Sequence, residues 1–179
     1  MSKTVLVLST SPRKGGNSDA LADAFVRGAQ EAGNQVEKIT LYDKTIGFCK
    51  GCLSCQNTQR CIIRDDADAI TQKMLTADVI AFATPIYYYG MCGQMKTLLD
   101  RANPMFPAAY QFRDIYLLAA AAEADEHTVD GAVTGLQGWI DCFEKARLAG
   151  TVFAGGVTAV GEIQGHPALQ RAYETGKTV

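Results

Sequence analysis

"TVLVLSTSPRKGGNS", residues 4–18, carries a hydrophobic run, a loop of hydroxyls, cations and glycines, and the start of a new period. The run 4–9 is β-branched and aliphatic without polar alternation, the pattern of a strand covered on both faces as in a parallel sheet. After Ser18 the spacing changes: Leu21, Ala24, Phe25, Gly28 and Ala29 trace a helical stripe that Gly33 and Asn34 can stop. A buried strand feeding a helix through a polar loop is the opening of a βαβ unit.

The same alternation continues along the chain. Strands are expected at 35–42, 79–85, within 113–124, and at 151–160. Helices are expected at 66–78, with Asp66 or Asp68 as N-cap, at 93–103, and at 128–150, with Gly150 as its stop. A last helix spans 166–177, Pro167 at its first position and Gly176 closing it. Five strands alternating with helices predict a single α/β domain over 1–179: a doubly wound, five-stranded parallel sheet in three α/β/α layers. The flavodoxin-like order 2-1-3-4-5 is one of two common solutions, and it puts ligands at the carboxyl ends of the strands. Residues 43–65, without strand or helix period, form a cysteine-rich loop within that domain, and a loop of this length is usually functional.

Composition bounds the function. At 47% hydrophobic and 20% charged the chain is globular, and a formal charge of -2 with a pI of about 5.7 leaves no basic field for nucleic acid or an anionic membrane. The first apolar run is too short for a signal peptide, and nothing approaches the roughly eighteen apolar residues of a membrane span. Small-molecule partners and a cytoplasmic location, where thiols stay reduced, are the expectation.

Two loops follow strands where ligands should sit. The loop 9–18 offers Ser9, Thr10, Ser11, Ser18, Asn17, Arg13 and Lys14 at a helix N-terminus, which suits a phosphate monoester. It has neither the Lys-Ser/Thr ending of a P-loop nor the spaced glycines of a dinucleotide fingerprint, so ATP and tightly held NAD are disfavoured. The plainer reading is that Asn17 or Ser18 only caps the helix. The loop 83–96, "ATPIYYYGMCGQMK", ends its strand at Pro85 and puts three tyrosines before Gly90. That surface suits a planar heteroaromatic ring, and equally an oligomer contact.

"CKGCLSCQNTQRC", residues 49–61, spaces four thiols as Cys49-x2-Cys52-x2-Cys55-x5-Cys61. Three cysteines at intervals of three can wrap three corners of one [4Fe-4S] cubane, with Cys61 as fourth ligand. Zinc ranks second, because structural zinc sites pair two separated knuckles; a transient Cys49–Cys52 disulfide is the third chemistry. Spacing leaves these alternatives and free thiols open. Lys50, Arg60 and Arg64 stand beside the ligands and can offset cluster charge. Cys142 falls on an apolar stripe and reads as a buried core thiol; Cys92 lies near the tyrosine loop without a partner. His127 and His166 have no Ser-His-Asp or His-Glu company, so hydrolysis has no candidate machinery.

The three loops "STSPRKGGNS", "CKGCLSCQNTQRCIIRDD" and "ATPIYYYGMCGQMKTLLDR", with the ending "GHPALQRAYETGK", resemble the NADPH-dependent FMN reductase superfamily and, within it, the iron-sulfur flavoproteins. The resemblance covers nearly the whole chain. It implies a flavodoxin-like fold with the FMN phosphate held around Ser9, Ser11, Pro12, Arg13, Asn17 and Ser18. The ring would rest on Thr84, Pro85, Ile86, Tyr87, Tyr88 and Gly90, while "AAAAEAD", 119–125, gives no clear third wall. It implies an oxidoreductase without catalytic side chains, fed by NAD(P)H or a reduced carrier. It also implies a small-molecule or ferredoxin-like acceptor, and a homodimer or homotetramer in which one subunit's cysteine loop approaches another's flavin. The rivals are a non-catalytic flavodoxin-like carrier and a module holding structural zinc.

Overall fold

A computed structural model describes residues 2–179. β1 (Thr4–Ser9) lies inside the sheet with β2 (Gln35–Thr40) on one side and β3 (Val79–Tyr87) on the other. β4 (Gly90–Met91) is a two-residue strand antiparallel to the end of β3. β5 (Asp114–Ala120) and β6 (Arg147–Ala154) complete the parallel order β2-β1-β3-β5-β6. With β4 set aside as the return arm of a hairpin, the order is the flavodoxin-like one.

The opening strand shows why the sheet needs two helical layers. Val5 and Val7 point into one core, against Leu21 and Phe25 of α1 (Asn17–Glu31) and Ala168 and Ala172 of α6 (Pro167–Lys177). Leu6 and Leu8 point into the other. There they join Ile70 and Met74 of α3 (Asp66–Thr76), Met95 and Leu98 of α4 (Gly93–Arg101), and Leu136 and Ile140 of α5 (Asp130–Ile140). All four β1 side chains are at most 2% exposed, so each removes its apolar surface from water, worth about 1.5–3 kcal/mol apiece. A further α-helix, α2 (Cys55–Thr58), is a single turn inside the cysteine loop. Among the described residues, no helix is long and apolar enough to cross a membrane.

Several boundaries differ from the periodic pattern. The helix expected over 128–150 stops at Ile140, and β6 begins at Arg147, four residues before the expected strand. Gly150 does not end a helix; it lies within β6 opposite Tyr116, whose ring would stand 3.3 Å from any Cβ placed there. Gly176 lies inside α6 rather than closing it, because a Cβ at Gly176 or Gly28 would overlap the backbone carbonyl of the facing helix. The N-cap of α3 is Asp65, one residue earlier than expected, its carboxylate accepting the Ala67 N–H at 3.1 Å. Cys142, expected in the core, is exposed beyond the end of α5.

Candidate functional site

Parallel pairing brings the ends of β1, β3 and β5 to one edge: Ser9 is beside Ala83, and Pro85 beside Ala120. The loops after these strands are therefore neighbours. The loop after β1 turns at Gly15, φ +64°, and meets α1 through Gly16 as N-cap. Neither Asn17 nor Ser18 caps the helix, and Gly16 has no side chain to do so, which leaves first-turn N–H groups without a side-chain acceptor. Ser18 Oγ is fully buried and has no hydrogen-bond partner among the described residues. The Asp19 carboxylate nearby is neutralised by Lys38 at 2.7 Å.

Ser9, Ser11 and Arg13 line a cavity of about 360 Å³ whose walls also include Lys14, Asp19, Thr40, Tyr42 and Asp43. Ser11 Oγ braces the loop, accepting the Arg13 N–H at 3.2 Å and donating to its carbonyl at 2.9 Å. Asn17 is placed differently from its sequence reading, since its amide is taken up by the chain after β6. Nδ2 donates to the Ala159 carbonyl at 3.0 Å, and Oδ1 accepts the Ile163 N–H at 3.4 Å. Arg13 Nη1 donates to Thr158 in the same segment at 2.8 Å. Glu162 gathers that segment by accepting the N–H groups of Thr158 and Ala159, which hold its carboxyl below the usual range.

The hairpin after β3 stands beside this loop without lining the same cavity. Tyr88 and Tyr89 are its two turn residues, both with positive φ, and Tyr87 to Tyr89 are exposed. Thr84 is buried; its Oγ1 accepts the Cys92 N–H at 3.1 Å. Cys92, without an evident partner in sequence, has its Sγ 3.3 Å from both the hydroxyl and the carbonyl of Thr10. Thr10 in turn bonds Ala83, so Thr10, Thr84 and Cys92 tie the two loops together.

The loops after β5 and β6 meet at "AGG", residues 154–156. The Ala121 N–H bonds the Ala154 carbonyl at 2.9 Å, and the Gly156 N–H bonds the Glu123 carbonyl at 3.2 Å. A Cβ on Gly155 would stand 2.7 Å from the Glu123 oxygen, so glycine lets the loops after β5 and β6 lie against one another. The paired glycines were the available signal for this contact.

Cys49, Cys52, Cys55 and Cys61 all line one small cavity beneath the loop, together with Lys50, Arg101 and Asn103. No three His, Cys, Asp or Glu side chains among the described residues close tightly around a point that would hold a single metal ion. Positive φ at Gly51, Leu53 and Gln59 curls the loop. Hydrogen bonds from the Ser54 backbone and hydroxyl hold the Cys52 thiol below its ordinary pKa. Asn103 Nδ2 donates to Cys55 Sγ at 3.3 Å.

The buried cation beside these thiols is none of the three expected ones. Arg60 and Arg64 reach outward to Asp68, at 3.0 and 3.4 Å, whereas Arg101 at the end of α4 lies wholly inside. Its fork meets Asp65 at 2.7 and 2.9 Å, and the same two nitrogens donate to the carbonyls of Gly47 and Ile63. Burial pushes the Asp65 carboxyl up, but Arg101 and the N–H groups of Gly47 and Ala67 outweigh it and hold the group below the usual range. "RDD" and "LDR" were visible in the sequence, but nothing in their spacing said that they pair.

Residues 4–159 match the sequence profile described as NADPH-dependent FMN reductase. The chain belongs to the NADPH-dependent FMN reductase family. An iron-sulfur flavoprotein of Methanocaldococcus jannaschii is 39% identical over 101 residues, covering 56% of this chain and 52% of the relative. One from Archaeoglobus fulgidus is 37% identical over 94 residues, covering 52% of this chain and 43% of the relative. The matched stretch thus spans about half the length of these family members. Among solved structures, the NAD(P)H:quinone oxidoreductase from Methanothermobacter marburgensis superposes with a TM-score of 0.77 at 18% identity. The match covers 99% of this chain and 96% of that one, a likeness of fold.

Proposed function

We propose that the chain is an FMN-dependent oxidoreductase fed by NAD(P)H or a reduced carrier, and that its cysteine loop holds one [4Fe-4S] cluster. The observation that carries the flavin reading is the uncapped start of α1 beside the partnerless, buried Ser18 hydroxyl, at the strand edge where this fold binds phosphates. An unsatisfied buried donor needs an explanation, and a phosphate oxygen supplies one.

Ser18, the first-turn N–H groups, Ser11 and Arg13 would hold the phosphate, with Ser9 beneath and Pro12 shaping the turn. The backbone and apolar faces of Thr84, Pro85, Ile86, Tyr87, Tyr88 and Gly90 would hold the ring. Bound FMN takes two electrons as hydride and releases them singly, which suits a one-electron centre nearby. The chain's own contribution is positioning: Thr10, Thr84 and Cys92 fix the loops relative to each other, and Asn17 anchors the turn at 158–163 to the start of α1.

The cluster reading is supported by four thiols on one cavity, a buried cation next to them, and the iron-sulfur names of the relatives. Exposed Phe48, Leu53 and Ile62 on this loop, with Tyr87 to Tyr89 on the hairpin, favour a homo-oligomer that brings loop and flavin together. A small molecule or a ferredoxin-like protein would accept the electrons.

The test is an absorption spectrum with iron, sulfide and zinc analysis on protein purified anaerobically and reconstituted with FMN. Flavin bands together with matching iron and sulfide are expected. Flavin without iron removes the cluster, zinc in place of iron makes the loop structural, and absence of flavin removes the oxidoreductase.

A further inference from the structure

We propose that Arg101 is a positioning residue of the cysteine loop, fastening both of its ends and donating a hydrogen bond to the Cys61 sulfur when the loop is loaded. The proposal rests on the reading of the loop as a [4Fe-4S] site.

A guanidinium has five N–H groups in a fixed plane. The four on Nη1 and Nη2 are matched by four acceptors: the Gly47 carbonyl at 2.8 Å, the Ile63 carbonyl at 3.0 Å, and the two Asp65 oxygens at 2.7 and 2.9 Å. Gly47 precedes the first ligand by two residues and Ile63 follows the last by two, so one side chain from α4 closes the loop at its base. The fifth group, Nε–H, is buried and has no partner among the described residues. Arg101 is 1% exposed overall, and water cannot satisfy it from bulk solvent. Cys61 lines the same small cavity, which makes its sulfur the acceptor at hand.

The arrangement has an electronic consequence. Hydrogen bonds and positive charge at the ligand sulfurs stabilise the reduced, more negative state of a cluster and raise its potential. Lysine keeps the charge but cannot reproduce five planar donors. Arg101→Lys therefore loses the loop closure and the Nε–H together, while leaving the flavin loops untouched.

The test compares wild type and Arg101→Lys, both purified anaerobically and reconstituted with iron, sulfide and FMN. In the variant, iron per chain falls several-fold and the EPR-monitored midpoint potential of the remaining cluster moves to more negative values, with FMN per chain unchanged. Because this variant could fail to fold, a second measurement uses protein that keeps Arg101. With arginine labelled by 15N and Arg60 and Arg64 both replaced by Lys, pulsed EPR of the reduced cluster shows a nitrogen coupling. Iron content and potential equal to wild type in Arg101→Lys, or no coupling in the labelled protein, overturns the proposal. Flavin without iron in wild type overturns the cluster reading and the proposal with it, and iron analysis tells these outcomes apart.

Discussion

Tyr88 and Tyr89 sit next to one another at φ +49° and +63°, the two corners of the turn that joins β3 to β4. A two-residue hairpin turn with positive φ at both positions is normally built from Asn-Gly, because a Cβ is strained there. Tyr88 is fully exposed, so packing does not explain the choice. Strain of this kind gathers where a ligand is handled. Replacing the pair by Asn-Gly should stabilise the FMN-free protein by about 1–3 kcal/mol and raise its Tm by several degrees. FMN titration of the same variant should show weaker binding. A melting temperature no higher than wild type would mean that the turn is relaxed.

Gly131, in the first turn of α5, is the brace behind that hairpin. A Cβ there would overlap the Tyr89 carbonyl oxygen, a backbone atom that cannot swing aside. Gly131→Ala must displace either α5 or the turn. Overpacking of this kind typically costs about 1–3 kcal/mol. The expected outcome is a moderate fall in urea midpoint and a larger proportional loss of FMN affinity, read by fluorescence titration. Equal affinity in the two proteins would detach the hairpin from the flavin site.

Asp65 and Arg101 predict a pH dependence. The carboxyl is held below its ordinary value of about 3.9, so its contribution is complete above that pH and is lost as pH falls through the lower, folded value. Asp65→Asn keeps an N-cap for α3 but strands the buried guanidinium, which should cost roughly 3–5 kcal/mol at neutral pH. Urea midpoints should differ most above about pH 5 and converge in acid. A gap that stays constant down to pH 2 would show that the ion pair is not its source.

The sheet was legible because Val5, Leu6, Val7 and Leu8 are apolar on both faces, a pattern few other contexts require. The end of α5 was not, because helical spacing continues through Phe143 and Ala146 while pairing with β5 pulls the following residues into β6. The cysteine spacing named the candidate ligands, and the residues that order them, Asp65, Arg101 and Asn103, come from other segments that only the fold brings near. Local motifs could name Ser18 but not the burial of its hydroxyl without a partner.

That hydroxyl gives the most discriminating prediction. Ser18 Oγ is buried with no hydrogen-bond partner among the described residues, so removing it removes an unsatisfied polar atom. Ser18→Ala should leave the stability of the FMN-free form unchanged or slightly higher, because alanine also has the better helix propensity. If the hydroxyl donates to the phosphate, its loss weakens FMN binding by about 1.5–3 kcal/mol, the worth of a hydrogen bond to a charged group and more than tenfold in Kd. Thermal melts with and without FMN separate the two effects: the FMN-dependent rise in Tm should shrink while the FMN-free Tm holds. An FMN-free Tm that drops, with the rise intact, would make Ser18 a part of the fold and leave the phosphate to the backbone of α1 alone.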